Sequence, residues 1–215
     1  MSNNPAPENL CMIPWMGFSN NPNGVAQPCC IYKGNIKDEL GNDLYVQKNS
    51  VKDIFASDYM NNLRQAFREN KKPAGCETCW RDESNGYQSK RLNHFKNGVF
   101  NSDNFIVPDW ETDPDFPIEY QMIIHNSCNL KCRSCGPSHS TLWQNENIKF
   151  EGDAGFDMPY KQAGDKQGEL WKTRHEWYPH LRHLEIVGGE PMYIKQWHQI
   201  FDELIELDYA KNIVV

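Results

Sequence analysis

Apolar side chains occupy every second position from Ile118 through Tyr120, Met122 and Ile124, the period of a strand with one covered face. A second short apolar run, Leu184, Ile186 and Val187, stops at Gly188-Gly189, and a third is formed by Ile213-Val214-Val215. Between these two, Ile194, Trp197, Ile200, Phe201, Leu204 and Ile205 recur at the spacing of one helix face. A helical stretch around Ser138 to Gln144 separates the first strand from a Gly-rich polar insertion at residues 151–168. Strand–helix–strand–helix–strand predicts parallel βα units. Nearer the N-terminus, Ser50-Val51-Lys52-Asp53 reads as a capping box. It opens a helix whose apolar face is Val51, Ile54, Phe55, Tyr59, Met60, Leu63 and Phe67, ending near Lys72-Pro73 before Gly75 turns the chain into Cys76. On that helix Arg64, Arg68, Lys71 and Lys72 read as a solvated face. The turn formers of Asn20 to Gly24 predict a hairpin within Cys11 to Cys30. Pro108, Pro114 and Pro117, set among acidic residues, mark 98–117 as a linker.

Charge and cysteine content change this picture. The chain has 215 residues and a net charge of −7, which disfavours broad binding to phosphate backbones. No apolar run approaches the ~18 residues of a membrane span. The polar Met1 to Glu8 segment lacks the build of a signal peptide. The expectation is a cytosolic protein. In a reducing compartment eight cysteines are better read as metal-binding or catalytic than as disulfides.

Three of them, Cys128, Cys132 and Cys135, follow the first predicted strand with the spacing C-x3-C-x2-C. Thiolates hold iron–sulfur clusters, and three on one short loop leave a metal position open for an exogenous ligand. The alternative is zinc, with His125 or His139 as fourth ligand. At the end of the second predicted strand, Gly188-Gly189-Glu190-Pro191 combines two residues without Cβ atoms, a carboxylate able to accept hydrogen bonds from an ammonium group, and a rigid exit. A second thiol set lies upstream: Cys11, Cys29 and the pair Cys76-Glu77-Thr78-Cys79, which suit zinc or an iron–sulfur cluster.

The triad after a first strand, with Gly-Gly-Glu-Pro one βα unit later, resembles radical S-adenosylmethionine (SAM) enzymes. The resemblance implies that Cys128, Cys132 and Cys135 carry a catalytic 4Fe–4S cluster. It also implies that Gly188, Gly189, Glu190 and Pro191 bind SAM, Glu190 meeting its amino group. Reductive cleavage of SAM then gives a 5′-deoxyadenosyl radical, with an electron donor such as flavodoxin or ferredoxin and a peptide or small metabolite as substrate. Ser134 stands where that family often has an aromatic residue. The spacing C-x12-G-x4-C from Cys11 through Gly24 to Cys29 resembles the opening of SPASM and twitch domains. Cys-Met-Ile-Pro-Trp at 11–15, Pro-Cys-Cys at 28–30, and Cys79-Trp80 with Glu83, Gly86, Ser89 and Arg91 extend that likeness. It implies an auxiliary iron–sulfur cluster on Cys11, Cys29, Cys76 and Cys79, with Cys29 preferred to Cys30. In the better-known enzymes this module follows the barrel, whereas here it precedes it.

The expected fold class is therefore α/β: a partial (βα) barrel of two to three units, preceded by a small cysteine-rich hairpin-plus-helix metal domain. The expected domains are 1–97 for the twitch/SPASM-like unit, 98–117 for the linker, and 118–215 for the N-terminal part of a radical SAM barrel. Because only two complete βα units are visible, the chain is expected to be a fragment or to be completed by a partner, and to turn over SAM poorly alone. The competing function is a non-catalytic zinc-binding interaction module.

Overall fold

A computed structural model describes residues 5–96, 108–155 and 162–215. Residues 97–107, which take in part of the predicted linker at 98–117, and part of the polar insertion (156–161) lie outside the described residues.

The chain enters through a one-turn helix, α1 (Ile13–Met16), whose Pro14 has no N–H to leave unpaired in the first turn. It passes directly into β1 (Gly17–Asn20) and returns as β2 (Ala26–Gln27), antiparallel, with Ser19 opposite Gln27. The single helix expected from Ser50 is two helices, α2 (Val51–Phe55) and α3 (Asp58–Arg68). Ser50 caps the first by accepting the Asp53 N–H at 3.1 Å. Ser57 starts the second by accepting the Met60 N–H at 3.4 Å, while its hydroxyl donates to Ile54 O at 2.8 Å. A second N-cap inside an unbroken apolar stripe lets the chain bend without interrupting the buried face. After a 3-10 turn at Ala74–Cys76 come α4 (Glu77–Ser84) and α5 (Lys90–Lys96). The βα portion consists of β3 (Glu119–Met122), α6 (Thr141–Glu151), the short α7 (Glu169–Lys172) and α8 (Arg174–Trp177), β4 (His183–Ile186) and α9 (Lys195–Glu206).

The four strands form one mixed sheet in the order β2-β1-β3-β4. β1, β3 and β4 are parallel, with Phe18, Tyr120 and Leu184 in one row. The third apolar run contributes a parallel bridge, His183 to Val214, with Leu184 N–H donating to Val214 O at 2.9 Å. The sheet therefore crosses the boundary drawn at 98–117. β1 from the N-terminal segment lies beside β3, and side chains from both segments share one hydrophobic core. Buried Asn20 fastens this junction: its Nδ2 donates to Ile123 O at 2.8 Å and its Oδ1 accepts from Tyr120 OH at 3.1 Å.

Side chains alternate across the sheet. Phe18, Tyr120, Met122 and Leu184 face the core, where the Phe18 and Tyr120 rings lie 4.5 Å apart and Trp177 meets Tyr120 edge-on at 5.9 Å. The opposite face carries two polar rows, Gly17–Glu119–His183 and Ser19–Gln121–Glu185. α5 ties to it through His94 Nε2, 2.8 Å from Glu119 Oε2.

Arg64 departs from the solvated face expected of it. It is fully buried, donating from Nε to Pro14 O at 2.9 Å and from Nη2 to Phe55 O at 2.8 Å, with its guanidinium over the Phe55 ring. Those carbonyls lie at the ends of short helices, and the planar guanidinium satisfies both at once. Among the described residues no helix is long and apolar enough to cross a membrane.

Glu119 supplies a pH test of this junction. Burial would raise its pKa, but His183 and His94 override that and hold it at about 2. A carboxylate held below its unfolded value lends stability above that value, here near 4.5, and the contribution fades as pH falls toward about 2. Glu119→Gln will therefore be less stable than the parent at pH 6, and the two will converge between pH 4.5 and 2. Urea midpoints at pH 6 and pH 3 check this; parallel profiles would refute it.

Candidate metal centres

The first centre gathers cysteines that lie up to 68 positions apart in the sequence. Cys11 enters just before α1, Cys29 follows β2, Cys76 ends the 3-10 turn and Cys79 sits in the first turn of α4. All four line one pocket with apolar walls that include Ile13, Ile31 and Phe67. Lys90 and Arg91 border it, and among the described residues no carboxylate does. Four soft donors, apolar walls and two cationic neighbours fit an anionic thiolate-bound centre. Burial, then the neighbouring thiols, raises Cys11 well above the usual thiol range. The same causes push Cys29 up to about 11 and Cys76 to about 12. Thiols that resist ionising without a cation must release their protons when metal arrives, which couples binding to pH and to folding.

A salt-bridged frame sets this pocket. Arg91 grips Glu83 with two hydrogen bonds, Nε–Oε1 at 3.0 Å and Nη2–Oε2 at 2.5 Å, and Ser89 Oγ donates to the same carboxylate. From Nη1, Arg91 also donates to Leu10 O at 3.0 Å, so α4 and the segment entering Cys11 are held to one side chain. Trp80 stacks beneath that guanidinium and donates from its indole to Pro73 O at 3.2 Å. Cys30 does not line this pocket; Lys90 Nζ donates to its Sγ at 3.2 Å.

The second centre lies beyond the carboxyl end of β3, where α/β sheets place ligands. Cys128, Cys132 and Cys135 line one cleft of about 440 Å³ together with His139, Gly188, Gly189 and Glu190. The cysteine loop is held mainly through its backbone; of its sulfurs, Cys128 Sγ accepts the Leu130 N–H at 3.4 Å and Cys135 Sγ donates to Gly136 O at 3.7 Å. Thr141 Oγ1 accepts the Cys128 N–H and donates to Cys128 O, both at 3.2 Å. Ser140, the N-cap of α6, donates to Leu130 O at 2.8 Å, and the Trp143 indole donates to Cys132 O at 3.1 Å. His125, one of the two histidines open to a zinc role, is turned inward: its Nδ1 accepts the Ser127 N–H at 2.9 Å. His139 is the one that reaches the cleft.

The two glycines also meet a backbone requirement of the fold. Gly188 and Gly189 have φ of +80° and +57°, a region that other residues enter at a cost. A Cβ on Gly189 would lie 2.4 Å from Ser127 O, and one on Gly188 would lie 2.3 Å from Ile123 Cγ2. Their role is to seat the end of β4 against the cysteine loop. Gly189 N–H donates to His139 O at 3.1 Å and Glu190 N–H to Ser127 O at 2.8 Å. Glu190 Oε1 accepts the Met192 N–H at 3.3 Å, capping the 3-10 turn that Pro191 opens.

Sequence reasoning passed over Asn126, the fully buried hub behind the loop. It exchanges hydrogen bonds with Gln162, whose Oε1 accepts the Asn126 N–H at 3.0 Å, and donates to Gln144 Oε1 at 3.2 Å. A polar residue between an apolar strand and a cysteine motif was the available signal. Trp143 supports the loop, whereas Trp171 and Trp177 are core. Among the described residues no three His, Cys, Asp or Glu side chains are arranged to hold a metal ion as they stand; both thiol sets border cavities.

Searches of curated proteins and of solved structures found no match. A family does match part of the chain: residues 11–80, the segment that carries Cys11, Cys29, Cys76 and Cys79, match SPASM, an iron–sulfur cluster-binding domain.

Proposed function

We propose that the chain belongs to a radical SAM enzyme. In this reading Cys128, Cys132 and Cys135 hold the SAM-binding 4Fe–4S cluster, and Cys11, Cys29, Cys76 and Cys79 hold an auxiliary one. The observation that carries it is the shared cleft: three thiols on a loop after one parallel strand meet Gly188, Gly189 and Glu190 after the next. The SPASM match supports it independently, because that domain typically accompanies radical SAM chemistry. The sheet fits as well. β3, β4 and the Val214 bridge add in sequence order on one edge, as the first strands of a (βα) barrel do. SPASM relatives suggest a peptide or small metabolite as substrate, and a flavodoxin or ferredoxin as electron source.

The chemistry such a cluster supplies is one-electron cleavage of the sulfonium of SAM, giving a 5′-deoxyadenosyl radical that takes a hydrogen atom from substrate. The protein's own part is to bind and orient. The backbone-held loop would offer three thiolates to the cluster, leaving a position for SAM. Glu190 would accept hydrogen bonds from the SAM ammonium, and the tight turn at Gly188-Gly189 seats it against Ser127, next to Cys128 in the chain.

Glu190→Gln keeps the shape of this contact and removes the charge. Charge-assisted hydrogen bonds are about twice as strong as neutral ones, so SAM affinity will fall by roughly tenfold for each ~1.4 kcal/mol lost, at unchanged iron content. Equal affinities in parallel titrations would reject the role of Glu190.

A further inference from the structure

A second cleft opens beside the first, and its walls differ in character. It holds about 330 Å³ at the carboxyl ends of β1 and β3 and shares His139 and Gly188 with the cysteine cleft. Ser19, Gln27, Cys30 and Gln121 form much of the remaining wall, which among the described residues includes no Asp, Glu, Lys or Arg. Ser19 is 2% exposed, and its Oγ has no hydrogen-bond partner among the described residues. A buried hydroxyl without a partner is destabilising unless something in the cleft meets it. Ser19 and Gln121 are direct partners across β1 and β3, so their side chains project side by side.

We propose that this cleft is the substrate subsite of the enzyme inferred above and that it takes an uncharged hydrogen-bonding group, an amide such as a peptide backbone or primary carboxamide. The proposal rests on the radical SAM reading for the word substrate and on the cleft alone for the ligand chemistry. A wall of neutral donors and acceptors can satisfy both the N–H and the C=O of an amide. Among the described residues no Asp, Glu, Lys or Arg lines it to meet a carboxylate or phosphate, whose desolvation would go largely uncompensated. Lys90, which donates to Cys30 Sγ at 3.2 Å, does not line this cleft; it lines the auxiliary pocket and, with Ser19, Gln121 and Glu119, a small neighbouring pocket that holds both signs of charge. β1 thus gives the SPASM-matching segment a direct part in the site: Ser19 comes from it, Gln121 from the βα portion.

Cys30, exposed and outside both proposed ligand sets, reports occupancy. With both centres loaded with iron and sulfide, Cys30 is labelled with methyl methanethiosulfonate and quantified by peptide mass spectrometry in the presence of acetamide or acetate. These two probes differ only in amide against carboxylate. The expected result is that acetamide slows labelling of Cys30 several-fold in a saturable way and acetate does not. Ser19→Ala and, separately, Gln121→Leu will each remove most of that protection while leaving labelling without probe unchanged; whichever variant folds suffices. Equal protection by both probes, protection by the acid alone, or no protection would overturn the proposal, the last leaving the Ser19 hydroxyl to water. The readout does not involve SAM, so absence of SAM cleavage in the same preparation would count against the radical reading and not against the amide subsite.

Discussion

Changing Cys128, Cys132 and Cys135 together to alanine will remove one cluster's iron and sulfide and leave the fold standing. Alanine offers no ligand where cluster binding requires thiolate, so the loss should be complete. The fold survives because the loop is held through main-chain atoms: Thr141 on Cys128, Ser140 on Leu130 and Trp143 on Cys132. None of those contacts uses a sulfur atom. Iron and sulfide analysis after anaerobic reconstitution should show the auxiliary centre's complement alone, with far-ultraviolet circular dichroism unchanged. An unchanged iron count would remove the triad from cluster binding.

The auxiliary site should behave differently. Cys76→Ala with Cys79→Ala will lower iron content while sparing the triad's spectrum, and it will also loosen the N-terminal segment. Here the sulfurs lie inside the structure: Cys79 and Cys11 are each 8% exposed, and the pocket joins α4 to the chain entering α1. A centre that binds only the folded state contributes its binding energy to folding. Each ~1.4 kcal/mol of lost coupling makes the locally open form tenfold more populated. Limited proteolysis should therefore cut within residues 5–96 at least about tenfold faster in the variant, a rate that follows open-state population when closing is fast. If zinc falls and iron does not, the site is a zinc site. If resistance is unchanged, the site is not a staple.

The elements legible in the sequence were those whose signal is local. The Ser50 cap, the apolar stripe of α9 and the strands β3 and β4 that precede the cysteine loop and Gly188 each declare themselves within a dozen residues. The bend at Ser57 was also present locally, as a Ser-Asp start, but the apolar period running through it masked it. β1 was not legible in its role. Gly17–Asn20 carries no alternation, and its parallel partner lies about 100 residues away, so only tertiary pairing reveals that the cysteine-rich segment builds part of the sheet. Arg64 shows the same limit. Helix period alone leaves it among basic neighbours, and only the carbonyls of Pro14 and Phe55 account for its burial. The cysteine sets were readable by spacing. Their surroundings, Asn126 behind the loop and Arg91 on Glu83 and Leu10, depend on contacts that spacing does not encode.

The most direct measurement is the product of SAM cleavage. Anaerobically reconstituted protein is reduced with dithionite, given SAM, and assayed by mass spectrometry for 5′-deoxyadenosine, with the triple alanine variant as blank. The account predicts 5′-deoxyadenosine and methionine in equal amounts, above a blank that forms neither. Full iron content with no 5′-deoxyadenosine above the blank would contradict it.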